Sequence, residues 1–123
     1  MPNVAMKHDR DPRDVILDAL GDISAYEIGP KQVLLATYRR PEKTIGGIVM
    51  VQKTLDEDLY QSKAGLVVKV GTNATFNGTP IKLHDWLVVR PSDNWALEVN
   101  FVHCRHVFDS EIRARVAHPS MVW

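Results

Sequence analysis

Hydrophobic and polar positions divide the chain into two parts with different periods. Between residues 11 and 21 the apolar positions recur at helical spacing: Val15, Ile16, Ala19 and Leu20 share one face, and Asp14 and Asp18 face water. Asp11 can cap that helix, Pro12 suits its first position, and Gly21 can stop it after Leu20. Asp9, Asp11 and Asp14 lie near the positive end of its macrodipole, which favours them there. This helix has too few apolar groups for a core of its own and must dock on something. Gly29-Pro30 then punctuates the entry to the main body.

From Gln32 onward the pattern is that of strands. Residues 33–38, 47–52, 66–70, 86–90 and 97–107 are short runs rich in β-branched and aromatic side chains. Turn residues bound them: Arg40-Pro41, Gly46-Gly47, Gly71 to Asn73, Asn77-Gly78 and Pro91 to Asn94. Leu97, Val99 and Phe101 alternate with Glu98 and Asn100, which predicts one buried and one wet face. Leu66-Val67-Val68 and Leu87-Val88-Val89 are continuous instead, which predicts strands covered on both sides. Residues 109–116 fit a helical turn or a final strand equally well. Short strands without long helical stretches between them predict an all-β domain, a small barrel or sandwich. Closure would also remove the exposed edges.

Composition narrows the function classes. The 15 Lys and Arg are balanced by 15 Asp and Glu, which argues against a chain that lives on nucleic acid, because phosphate neutralisation needs a cationic excess. No apolar run approaches the ~20 residues that span a bilayer, and the opening MPNVAMKHDR lacks the apolar stretch of a secretory signal. The single cysteine, Cys104, excludes an internal disulfide framework and fits a cytoplasmic or virion setting.

Candidate chemistry is sparse. In His103-Cys104-Arg105-His106, a strand would put Cys104 and His106 on one face and His103 on the other. Two ligands of mixed type fall short of the three or four a zinc site uses, so no metal site is predicted. Cys104 with His84 or His106 lacks any motif that would fix a thiol and a base together. Phosphate-binding glycine loops are absent, so no cofactor is predicted and no enzyme is expected. What remains is an apolar tongue, Gly47-Ile48-Val49-Met50-Val51, between two polar loops at residues 38–47 and 52–64. It is either a core strand or a segment that lays its side chains on a partner.

The serial order of these segments resembles the GroES co-chaperonin family. Ile28-Gly29-Pro30 leads into Gln32-Val33-Leu34-Leu35, as the family's Ile-x-Pro leads into its first strand. Gly46-Gly47-Ile48-Val49-Met50 is similar to the family's Gly-Gly-Ile-Val-Leu, and residues 63–71, ending in Val70-Gly71, to its strand ending in Val-Gly. Lys82 to Val89 stands at the family's Val-Lys-x-Gly-Asp-x-Val, with His84 in place of the glycine before Asp85. Phe108-Asp109-Ser110-Glu111-Ile112 takes the place of its closing Glu-x-Asp-Ile.

The resemblance covers residues 28–116 and implies an irregular GroES-like β-barrel there, preceded by an N-terminal arm, residues 1–27, and followed by a tail, residues 117–123. It implies a homo-oligomeric ring subunit without catalysis or cofactor. Ile48, Val49 and Met50 would dock on a large chaperonin ring, with Gly46 and Gly47 as hinge. The arm, the tail and the Pro-x-x-Val-Trp ending are similar to small tailed-phage proteins, and imply an alternative. In that alternative, a virion structural subunit such as a capsid decoration or cement protein, Val15, Ile16 and Leu20 of the arm and Trp123 of the tail would bury apolar surface on a capsid protein or on adjoining copies.

Overall fold

The computed structural model describes residues 10–39 and 61–122. Residues 46–50 and Trp123 lie outside them. Helix α1, Pro12–Leu20, has the predicted limits. The Asp11 carboxylate accepts from the Arg13 amide, Pro12 occupies the first turn, and the Gly21 amide, at φ +67°, donates to the Leu17 carbonyl. The face it buries is narrower than expected: Pro12, Ile16 and Leu20 are buried, whereas Val15 is 45% exposed.

The strands are β1 (Gln32–Thr37), β2 (Ala64–Val70), β3 (Thr75–Phe76), β4 (Thr79–Pro80), β5 (Trp86–Val89), β6 (Trp95–Val99), β7 (Val102–Phe108) and β8 (Ile112–Val116). Six of them form one antiparallel sheet in the order β6-β7-β1-β2-β5-β8, and β3 and β4 form a separate hairpin. The protein is therefore mostly β, but the predicted closure does not occur among the described residues. The sheet is open, with β6 and β8 as its edges. Two register breaks bend it, one passing over Val68 where Leu34 and Leu35 face Lys69 and Val67, the other passing over Arg113 where Val88 and Val89 face Ala114 and Ile112.

Covering elements bury both faces of the open sheet. Strand alternation sends Leu34, Ala36, Leu66 and Cys104 to one face, where Ile16 and Leu20 of α1 pack on them together with Ile23, Tyr26 and Ile28. Val33, Leu35, Val67, Leu87 and Val107 face the other way and meet Ala74, Ile81 and Phe76 around the β3–β4 hairpin. The continuous runs 66–68 and 87–89 are explained by this: both faces of the sheet are apolar cores. The described part of the arm, residues 10–27, therefore docks on its own chain. Ile16 and Leu20, expected at an interface with other subunits, are internal, and only Val15 of the three stays available to a partner. Part of the tail folds back as well, with Pro119 fully buried in a 3-10 turn, Pro119–Met121.

Residues 97–107, predicted as one strand, are the hairpin β6–β7. Asn100 and Phe101 form its turn with φ of +50° and +68°, and Val99 pairs with Val102. Two successive positive φ values match the right-handed twist of the flanking strands, as in a type I′ turn. Phe101 is consequently 96% exposed rather than on the buried face. Residues 109–116, ambiguous in sequence, resolve into a 3-10 turn, Asp109–Glu111, followed by β8. No helix among the described residues is long and apolar enough to cross a membrane.

Candidate functional site

Two features of the described surface could serve recognition. The first is the gate from which residues 40–60 depart. β1 and β2 are hydrogen-bonded neighbours, Thr37 pairs with Gly65, and the Tyr38 amide donates to the Ala64 carbonyl at 2.9 Å. The Tyr38 ring is fully buried and meets Trp86 edge-on at 5.9 Å. The chain therefore leaves and returns at one rigid place.

The second feature lies at the opposite end of β1. Register places Gln32 beside Phe108, and His106 between Leu34 and Trp95. The His106 ring sits between Tyr26 and Trp95, each 6.3 Å away centroid to centroid. His106 Nε2 meets Gln32 Oε1, and the Tyr26 hydroxyl lies 3.1 Å from His106 Nδ1. With the ring neutral, Nε2–H donates to Gln32 and Nδ1 accepts from Tyr26, so both nitrogens are used and the arm is tied to β7. Burial lowers the His106 pKa and raises that of Tyr26. An open groove of about 530 Å³ runs from this cluster past Ser92, Asp93 and Asn94 to Phe108 and Glu111. Trp95 and Phe108 wall it and are 66% and 55% exposed.

Most polar groups of the groove are committed to its construction. Arg113 donates to Asp93 at 3.1 Å, the Glu111 carboxylate accepts the Phe108 amide at 2.8 Å, and Arg105, buried, reaches the Pro91 carbonyl and the Asn94 side chain. Desolvation lowers the Arg105 pKa. Such a groove offers aromatic surface to a partner.

The cysteine and histidines do not assemble a reactive pair. Cys104 and His106 do share a face, but Cys104 is wholly buried and desolvation pushes its thiol up to about 12. A thiol so placed behaves as a small packed hydrophobe. His103, on the opposite face, lies 2.7 Å from the Thr37 hydroxyl, and burial, then Arg105, lowers its pKa. His84 sits before β5, which β1 and β2 separate from β7 in the sheet. Among the described residues no three His, Cys, Asp or Glu side chains converge to hold a metal ion.

Of the residues singled out in the sequence, Gly46, Gly47, Ile48, Val49, Met50 and Trp123 lie outside the described residues. The sequence reading missed the grouping of Tyr26, Gln32, Trp95 and His106, which strand register and the packing of the arm on the sheet create together. Compared with protein families and with curated proteins, the chain matches none.

Proposed function

We propose that this chain is a co-chaperonin-like ring subunit without catalysis, which docks on a large chaperonin through Ile48, Val49 and Met50. The observation that carries the reading is the gate: Tyr38 and Ala64 close the base of a connection between adjacent antiparallel strands, and the apolar tripeptide lies within that connection. Burying the three side chains on a partner is worth roughly 1.5–3 kcal/mol each before ordering costs, and repetition around a ring adds avidity.

Two backbone details support a GroES-like scaffold. His84 adopts φ +72° at the position where that family places glycine, so the turn into β5 keeps a left-handed residue. Gly71 ends β2 where a side chain would strike the Gly29 carbonyl, as befits the Val-Gly strand end. The test is binding of the full chain to a nucleotide-loaded chaperonin ring. Wild type should bind, and Ile48→Ser with Met50→Ser should abolish binding; a wild type that does not bind ends the proposal.

A second reading, a virion structural subunit, is favoured by the large apolar side chains left on the described surface, Trp95, Phe101, Phe108 and Met121. It places the chain in a virion rather than the cytoplasm, and mass spectrometry of purified particles decides it: absence of the chain removes the structural role.

A further inference from the structure

The two edges of the sheet are defended differently. β8 carries Arg113 and Arg115, both exposed, ion-paired to Asp93 at 3.1 Å and Asp85 at 3.4 Å, and a register break adjoins it. Charged side chains and irregularities of this kind blunt an edge. β6 reads Trp95-Ala96-Leu97-Glu98-Val99, with no Lys, Arg or Pro and a regular register, and among the described residues it pairs only with β7. At one end of β6 lies the groove walled by Trp95; at the other lies the turn that holds Phe101 out.

We propose that β6 is a self-association edge, pairing antiparallel with β6 of a second copy of this chain about a two-fold axis at Leu97. In that register Leu97 faces its own copy, Trp95 faces Val99 and Ala96 faces Glu98. Pairs of equal parity keep the faces continuous, so Trp95, Leu97 and Val99 of both copies extend one apolar face. The only charge on the strand meets Ala96, so the two Glu98 carboxylates do not oppose each other directly. The same axis carries each Phe101 to the end of the partner strand where Asp93, Asn94 and Trp95 open the groove. A second copy is the occupant that fits because knob and groove sit at opposite ends of one strand, and antiparallel pairing satisfies both twice.

The backbone of Phe101 fits this role. A left-handed φ of +68° is an uncommon conformation for a bulky residue, and strained positions concentrate where something binds. The side-chain amide of neighbouring Asn100 donates to the Leu20 carbonyl at 2.7 Å, which fixes the tip before any partner arrives.

The test uses the full chain carrying Leu97→Cys under mild oxidation. Cys104 faces Leu97 across the β6–β7 pair and could hold the new thiol in an intramolecular disulfide, so the variant also carries Cys104→Ala, and a reducible dimer then reports the new position. Such a dimer is expected as the main product, and adding Phe101→Asp should cut its yield at least roughly tenfold, as removal of an aromatic anchor does. Light scattering provides a second reading on otherwise native protein: Trp95→Lys with Phe101→Asp, both at exposed positions, should lower the solution mass while leaving circular dichroism unchanged. Absence of the Leu97→Cys dimer, or a mass unaffected by the double substitution, overturns the proposal. A two-fold contact closes at two copies and cannot itself propagate a ring, so it adds to the contacts of a ring rather than forming them; neither variant alters residues 46–50, so failure here leaves chaperonin docking standing.

Discussion

Asn100 on the β6–β7 turn donates its side-chain amide to the carbonyl of Leu20 at 2.7 Å, tying the tip of a hairpin to the last residue of α1. The contact spans 80 residues of sequence and gives the helix end one of the donor partners that its last carbonyls otherwise lack. It also pins the arm to the sheet.

Asn100 contributes twice, through this bond and through its tolerance of φ +50°. Asn100→Ala should lose both and cost about 1–3 kcal/mol, whereas Asn100→Gly keeps the backbone freedom and should cost about 1 kcal/mol. Urea unfolding of the two variants separates the terms. Equal losses would show that the backbone conformation contributes nothing.

Docking of the arm on its own sheet sets a contrast between neighbours on α1. Leu20 is 1% exposed and Val15 is 45% exposed. Leu20→Ala should cost about 2–5 kcal/mol, and Val15→Ala no more than about 0.5 kcal/mol, in thermal or denaturant unfolding of the full chain. Similar small losses at both would mean that the helix is not part of the core.

Gly71 donates its amide to the Gln32 carbonyl at 2.7 Å, while the Lys31 amide bonds Thr72. A Cβ there would overlap the backbone of Gly29 and Gln32, neither of which is a flexible side chain. Gly71→Ala should therefore cost several times the ~1 kcal/mol expected for Gly78→Ala, where φ is +78° but the space is open. Comparing soluble yield and melting temperature of the two checks it.

Burial holds His103 and His106 below the ordinary imidazole value of 6.5. Both are bases lowered on folding, so the unfolded chain takes up protons first. Their contribution to stability is complete above pH about 6.5 and is lost as pH falls through the folded values. Melting temperature should therefore drop between about pH 7.5 and about pH 5.5, and a His103→Gln, His106→Gln variant should drop less. An equal drop in both would assign the dependence to other groups.

Cys104, wholly buried and with its thiol raised to about 12, should resist a disulfide reagent in the native chain at mildly alkaline pH and react stoichiometrically in denaturant. Rapid native labelling, read by absorbance, would place the thiol outside the core.

Local chemistry made α1 readable: a cap, a proline and a terminal glycine sit at its ends, and the structure places all three as expected. The Asn77-Gly78 turn was equally plain, with φ of +54° and +78°. The β6–β7 turn was hidden because Asn100 is followed by Phe rather than Gly, and the alternation ran through it without a break. His84 conceals a left-handed residue in the same way. Which face α1 covers, and whether β6 meets β8, depend on partners distant in sequence, and no periodicity carries that information. The cluster around His106 was illegible for the same reason, since strand register brings residues 32, 95 and 106 together and the docked arm adds Tyr26.

Docking through Ile48, Val49 and Met50 is tested most directly by amide hydrogen exchange of the full chain, followed residue by residue with and without a nucleotide-loaded chaperonin ring. The account predicts that exchange at residues 46–50 slows when the ring is added while β1 and β2 are unchanged. Exchange at residues 46–50 that is the same with and without the ring contradicts it.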